Sequence, residues 1–316
     1  MKPIVTIFET INQSGIDQLE KFADITIAYG ATRSEQLNLS RKSDVIIVKS
    51  VVRVDKELLD NSPSLRIIAR AGTGVDNIDI SEAERQQVKV LTVPTGNSVS
   101  AAEYTLLQIL FLSRRMLEVQ RFTANKDYRR HLLEGNEIIN MTVGLVGLGN
   151  VGMLVFERLK SFGCRVLGYD PYAKKIEKFV SDGGSYYESF DNFLKEVDII
   201  SFHARLTSEN FHMMGKYQFN LVKPGLLLVN TARAELINQE ELLESMNNGQ
   251  VSAAAIDVIS PEPPFDSKPE EHDFHHILLS HPKIHVTPHI GASTIDAQNR
   301  ISIDICNQII DNWSEK

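Results

Sequence analysis

The sequence predicts an α/β protein built from two doubly wound, parallel-sheet domains, and three observations carry that expectation. Residues 1–94 alternate short apolar runs with short polar helical segments, the pattern of strands covered on both faces and joined by surface helices. Residues 141–171, MTVGLVGLGNVGMLVFERLKSFGCRVLGYDP, read as strand, glycine turn, helix, strand. The alternation then resumes and ends in a last strand near residue 284. At 316 residues the chain is long enough to bury two separate cores.

Taken in order, strands are expected at 4–8, 25–29, 45–48, 66–69 and 89–93, with surface helices at 17–22, 56–60 and 81–87. Residues 97–120 open with cap-like Ser98 and Ser100 and continue as AAEYTLLQILFLSRRMLEVQ. That segment is apolar on most faces, which predicts one buried helix joining domains or subunits. A strand at 142–148, a helix at 151–162 and a strand at 165–169 follow, then strands at 198–202, 225–230, 253–258 and 284–287. The proline-rich, acidic stretch SPEPPFDSKPEEHDFHH is a loop beside a site or a tolerated insertion. Ile301, Ile305, Ile309 and Trp313 recur at helical spacing, an amphipathic helix expected to return to the first domain.

Gly147, Gly149 and Gly152 have the G-x-G-x-x-G spacing. The first glycine permits a tight turn, the second lets backbone approach a pyrophosphate, and the third lets the helix pack close to the strand. Asn150 and Val151 open that helix, whose N-terminus faces the phosphates. Asp170 stands about twenty residues past the first glycine, where a strand-end carboxylate accepts hydrogen bonds from an adenosine ribose. A bare motif of this kind also occurs in glycine-rich β-turns. The strand before it, the helix after it and the acid at the right distance favour a dinucleotide site, and the acid favours NAD over NADP, whose phosphate it repels.

A net charge of −8 argues against a nucleic-acid partner. Cys164 and Cys306 form no disulfide framework and read as small core residues in a reducing compartment. No metal-ligand spacing is present. The opening MKPIVTIF is a strand pattern without a signal-peptide core, and no run approaches membrane-spanning length. The expectation is a cytoplasmic protein with no membrane partner.

Longer words then stand in one order over nearly the whole chain. They are ARAGTGVDNIDI at 69–80, VPTGNSVSAAEYT at 93–105, GLVGLGNVG, VNTARAELIN at 229–238, AAAIDVISPEPP, and TPHIGAST at 287–294. Together they resemble the D-isomer-specific 2-hydroxyacid dehydrogenases, and within that family most closely those acting on 3-phosphoglycerate, in a short form without C-terminal regulatory domains. The resemblance implies a Rossmann cofactor domain at 99–289 inserted into a flavodoxin-like substrate domain at 1–98 and 290–316. It also implies a cleft that closes over the substrate and expels water, NAD as cofactor, and a homodimer or homotetramer.

The resemblance assigns roles residue by residue. Arg233 matches the catalytic arginine, whose planar fork holds a substrate carboxylate and polarises the C2 oxygen; the plain alternative is a surface salt bridge. His289 matches the acid/base histidine, which takes the hydroxyl proton during oxidation. Glu262 matches its carboxylate partner, orienting the imidazole and favouring its charged form, where the alternative is a solvated loop glutamate. His272, His275, His276, His281 and His285 nearby show that histidine alone decides nothing. Asp257 matches the residue that fixes the nicotinamide carboxamide, or else caps a turn. Thr73, Ala204, Thr231, Ala232, Gly291 and Ala292 fall at cofactor positions. Gly72 and Gly74 let backbone N–H groups cradle the substrate carboxylate, or make an ordinary turn.

Lys49, Arg70 and Arg130 match cations that meet a phosphate at C3, Arg130 from a neighbouring subunit, with Arg129 beside it leaving that register open. Each alone is otherwise a solvated charge. Two departures stand out. His203, Ala204 and Arg205 replace the family's H-x-P, putting a charge beside the adenine or pyrophosphate, and Ala234 replaces the glycine usual after the catalytic arginine, restricting the backbone there. The reaction expected is NAD-dependent oxidation of D-3-phosphoglycerate to 3-phosphohydroxypyruvate in serine biosynthesis, without serine feedback through an appended domain. The rivals are another D-2-hydroxy acid (glycerate or hydroxypyruvate, D-lactate) and a dinucleotide-sensing, co-repressor-like binding protein.

Overall fold

The computed structural model describes residues 2–265 and 267–313; Met1, Asp266 and 314–316, which fall within the expected domain ranges, lie outside the described residues. The chain divides into two compact units, Met1–Val99 with Ser293–Lys316, and Ser100–Ala292.

In the first unit β1 (Ile4–Ile7), β2 (Asp24–Ile27), β3 (Val45–Val48), β4 (Ile67–Arg70) and β5 (Lys89–Thr92) pair in parallel in the order β2-β1-β3-β4-β5. This is the flavodoxin-like order, and the winding reverses between β1 and β3. All four residues of β3 are buried because successive side chains enter opposite layers. Ile46 and Val48 join the core under α2 (Arg33–Ser40), α3 (Lys56–Asp60) and α4 (Ile80–Arg85), with Leu37, Leu58 and Ala83. Val45 and Ile47 face the other layer, with Ile16 and Leu19 of α1 (Gln13–Leu19). α2 has no counterpart among the expected helices. It is started by Thr32, whose side chain accepts from Glu35 N–H while the Glu35 carboxylate accepts from Thr32 N–H.

The expected single helix over 97–120 is two helices, α5 (Ser98–Ser113) and α6 (Met116–Ala124). Arg115 adopts a left-handed backbone, φ +52°, which ends the helical hydrogen bonding between them. The second unit then contains β6 (Thr142–Val146), α7 (Asn150–Ser161), β7 (Arg165–Tyr169), α8 (Ile176–Ser181), β8 (Ser185–Tyr186), α9 (Phe190–Leu194), β9 (Ile199–Phe202), α10 (Lys216–Leu221), β10 (Leu226–Asn230), α11 (Gln239–Asn247), β11 (Val251–Ile256) and β12 (Ile284–Val286). Its seven strands are parallel in the order β12-β11-β10-β9-β6-β7-β8, the Rossmann order extended by one strand. Cores lie on both faces of this sheet, one around Phe193, Phe202 and Leu228 and the other around Phe156, Leu159 and Phe179.

α12 (Ile295–Asn312) belongs to the first unit. Ile301, Ile305, Cys306 and Ile309 complete this layer beside α1, packing over β4 and β5. Gly15 makes the close approach possible: a Cβ there would lie 2.6 Å from the Ser302 carbonyl oxygen. Both cysteines are buried. Among the described residues no helix is long and apolar enough to cross a membrane, and no group of three or more His, Cys, Asp or Glu gathers as a metal ion would need.

Candidate active site

His289 and Glu262 come together at the C-terminal edge of the second sheet, with His289 Nδ1 3.0 Å from Glu262 Oε1. A carboxylate only accepts, so Nδ1 carries the proton and Nε2 is left as the ring's proton acceptor. The backbone at His289 is left-handed, φ +55°, a conformation costly for a non-glycine residue. The surrounding hydrogen bonds explain why it persists. His289 N–H donates to the Asp257 carbonyl at 2.8 Å. The Asp257 carboxylate accepts from the Ile290 and Gly291 N–H groups at 2.9 and 2.8 Å and from the Thr287 hydroxyl at 2.6 Å. The Tyr104 hydroxyl in turn donates to Thr287 Oγ1 at 2.8 Å. Asp257 is buried, which pushes its carboxyl above the usual range, against the opposing pull of the Thr287, Gly291 and Ile290 donors. Tyr104 and Thr287 stand in the words at 93–105 and 287–294, but their pairing spans most of the unit and no sequence spacing shows it.

Arg233 follows β10 and its Nη1 donates to the Ala232 carbonyl at 2.7 Å. The buried Asn230 side chain clamps this turn, accepting from Ala232 N–H at 3.0 Å and donating to the Arg233 carbonyl at 2.9 Å. Thr231 Oγ1 lies 2.9 Å from Thr105 Oγ1 on α5. Ala234, expected to restrict the backbone, opens a 3-10 turn and is not among the described residues with positive φ, so nothing there requires glycine.

Gly147 has φ +99°, and a Cβ on it would lie 2.5 Å from Ala204 N. A Cβ on Gly152 would lie 2.0 Å from the Gly147 carbonyl oxygen, whereas Gly149 faces open space. α7 begins at Asn150 with no side-chain cap, so its first N–H groups remain available to an anion. Asp170 is held from two sides, Oδ2 accepting Leu148 N–H at 2.8 Å and Oδ1 accepting Tyr172 N–H at 2.9 Å. Lys175 Nζ lies 3.3 Å from Asn150 Oδ1 at the mouth of the same turn. Val151 is half-buried, and Arg205, at the departure from H-x-P, is exposed.

In the first unit Val48 pairs with Arg70 in the β3/β4 register, so Arg70 and Lys49, the residue after Val48, lie at the C-terminal ends of neighbouring strands. Lys49 Nζ donates to Gln298 Oε1 of α12 at 2.8 Å. A Cβ on Gly72 would lie 1.6 Å from Arg70 Nη1, so the missing side chain makes room for the guanidinium. Gly74 is half-buried, and the Thr73 hydroxyl lies within reach of the Val93 carbonyl and Asn97 Oδ1 at 3.2 and 3.1 Å. Arg130 lies in the second unit, in a short 3-10 turn. Arg129 is held on Asp127, with Nη2 to Oδ2 at 2.6 Å, and brings that carboxyl down to about 2, while no ion pair involves Arg130 among the described residues.

The family description "D-isomer specific 2-hydroxyacid dehydrogenase, NAD binding domain" matches residues 106–291. The chain belongs to that family. It is 35% identical over 307 residues to a D-3-phosphoglycerate dehydrogenase of Mycobacterium leprae, covering 97% of this chain and 56% of the relative. It thus spans about half the length of the phosphoglycerate dehydrogenases it matches. It is 34% identical over 277 residues to a hydroxypyruvate reductase of Thermotoga maritima, covering 88% of this chain and 87% of the relative. Among solved structures, a D-lactate dehydrogenase of Aquifex aeolicus, in complex with NAD and lactic acid, superposes with a TM-score of 0.86 at 25% identity, covering 97% of this chain and 94% of that one.

The family's members are NAD-dependent oxidoreductases acting on CH–OH groups, and the residues of this chain fit NAD. The open face at Gly149, the uncapped start of α7 and the fixed Asp170 carboxylate meet the needs of pyrophosphate and ribose. Behind the glycine turn, His203 Nδ1 is buried without a partner among the described residues while Nε2 lies 3.0 Å from Ser201 Oγ. Burial holds this imidazole neutral, pushing it down to about 3. In the unfolded chain it takes a proton near 6.5, so stability is intact above that pH and falls as the pH drops from there toward 3. Between pH 7 and 5 the native protein is therefore expected to lose up to about 2 kcal/mol more unfolding free energy than His203→Gln. Urea titrations at the two pH values measure this, and equal losses would remove His203 as the cause.

Proposed function

We propose that the chain oxidises D-3-phosphoglycerate to 3-phosphohydroxypyruvate with NAD. Bound NAD supplies the hydride acceptor. His289 Nε2 takes the C2 hydroxyl proton while Glu262 holds the Nδ1 side of the ring. Arg233 binds the C1 carboxylate and draws charge toward the C2 oxygen. The backbone around Gly72 and Gly74 offers N–H groups to the same carboxylate. Thr73, Ala204, Thr231, Ala232, Gly291 and Ala292 line the cofactor in this reading.

The observation that carries the substrate is the β3/β4 register, which sets Lys49 and Arg70 at neighbouring strand ends. Two cations at neighbouring strand ends suit a phosphate, whereas the C3 hydroxyl of glycerate brings them no charge. Arg130 of a second copy is the third cation, since Arg129 is engaged by Asp127. The same reading makes a homodimer or homotetramer the assembly, serine biosynthesis the pathway and the cytoplasm the compartment. The match over most of a hydroxypyruvate reductase supports a second reading with an unphosphorylated substrate.

The two are separated by kcat/KM for D-3-phosphoglycerate and for D-glycerate, followed by absorbance of reduced cofactor. Arg70→Ala is expected to raise KM for the phosphorylated acid about tenfold to a hundredfold, about 1.4 to 2.7 kcal/mol, and to leave glycerate unchanged. Better turnover of glycerate by the native enzyme would establish the second reading instead.

A further inference from the structure

We propose that Glu9 is a positioning residue for substrate phosphate, a built-in anion that holds the Lys49 loop in place. The inference rests on the reading that Lys49 meets the phosphate. Glu9 lies just past β1, and Lys49 is the first residue after β3. These two strands flank the point at which the sheet reverses its winding, where sheets of this order bind their ligands.

At that point four consecutive backbone donors converge on one carboxylate. Glu9 Oε2 accepts from Lys49 and Val52 N–H at 2.7 and 3.1 Å, and Oε1 accepts from Ser50 and Val51 N–H at 3.1 and 3.0 Å. Successive N–H groups curled around one centre make an anion-binding concavity. A carboxylate has about four lone-pair sites, so the match is complete. The chain has filled with its own side chain a concavity that would otherwise receive an external anion.

Two consequences follow for the substrate. The backbone of residues 49–52 is closed to the phosphate, so recognition falls to side chains. The Lys49 backbone is also tied from both ends of its loop, by Glu9 at one end and by the buried Val52 side chain at the other. From that anchored position Lys49 reaches Gln298 on α12. Without the carboxylate, four N–H groups facing one another lose their common acceptor, and the loop opens to reach water. Lys49 then samples many positions, and ordering it again on binding weakens the affinity for phosphate. Hydride and proton transfer, which Glu9 does not touch, keep their rate.

The test uses the full chain with Glu9→Ala and Glu9→Gln. Glu9→Ala is expected to raise KM for D-3-phosphoglycerate about tenfold, leaving kcat and KM for NAD within about twofold and KM for D-glycerate unchanged. Glu9→Gln, which keeps one oxygen acceptor, should give a smaller rise. In a cycle with Lys49→Ala, the double variant should match Lys49→Ala alone, because Glu9 acts through that residue. Equal effects on both substrates, or additive effects in the cycle, would overturn the proposal. Amide hydrogen exchange at residues 49–52 gives a readout that does not depend on the substrate. It should rise at least about tenfold in Glu9→Ala, and unchanged exchange would refute the anchoring role. A native enzyme that prefers glycerate while Glu9→Ala shows faster exchange would sink the phosphate reading and leave the anchoring intact.

Discussion

His289→Ala is expected to lower turnover by about 10³ to 10⁴-fold while leaving NADH binding within about twofold. The expectation follows from the ring's hydrogen bonds. Glu262 can only accept, so it takes Nδ1–H and leaves Nε2 as the base, at a ring held 3.0 Å from the carboxylate. Removing the imidazole removes the proton acceptor for the C2 hydroxyl, and the hydroxyl has nowhere to deliver its proton as hydride leaves. The turn at Gly147 to Gly152 and Asp170, proposed to hold the dinucleotide, are other residues. Steady-state rates and a fluorescence titration with NADH separate the two effects. Near-normal turnover would remove His289 from the chemistry, and a parallel loss of NADH binding would make it a structural residue.

The parts of this molecule that were legible in its sequence are those written by local rules. The strands at 45–48 and 165–169 appear at the expected positions, because a parallel strand covered on both faces carries a short apolar run, all of VIIV in the first and the buried VLG centre of RVLGY in the second. The glycine spacing was readable for a related reason, since Gly147 and Gly152 answer close backbone contacts at the next strand's end and within the turn itself, while Gly149 leaves its face open. α2 was missed although its signal was present: Thr32 and Glu35 form a capping box, overlooked because the helix they start is mostly polar. The break at Arg115 carried no glycine, asparagine or proline to announce it. The same division runs through the site. Arg233, Glu262, His289 and Asp257 stand in recognisable words, as do Tyr104 and Thr287, but the words do not announce that the last two pair, and Glu9 stands in none and acts through a loop about forty residues away. Ala234 was expected to restrict the backbone after Arg233, and the 3-10 turn it opens needs no positive φ, which the residue name alone did not reveal.

Asp257→Ala is expected to lower kcat at least about a hundredfold and to cost about 3 kcal/mol or more of stability, although Asp257 is assigned no proton to move. Its carboxylate is the common acceptor for the Thr287 hydroxyl and for the N–H groups of Ile290 and Gly291. Those donors flank His289 on both sides, and the left-handed backbone of His289 is held against its own preference by this acceptor and by the Asp257 carbonyl. Alanine leaves three donors without an acceptor in a buried place, each worth about 1 to 3 kcal/mol. The loop relieves that deficit by moving, and the imidazole moves with it. Asp257→Asn sharpens the comparison. The amide has the same shape, but it must point its NH₂ either at Gly291 N–H or at the Ile290 and Thr287 donors, so it too should unfold earlier and turn over slowly. Both oxygens of Asp257 already serve the loop, which makes turn capping the dominant role and contact with a nicotinamide carboxamide secondary. Denaturant melts, kcat and NADH affinity for the two variants decide between these roles. Full stability and full kcat in Asp257→Asn, with NADH binding alone weakened, would shift the residue's main role to the cofactor.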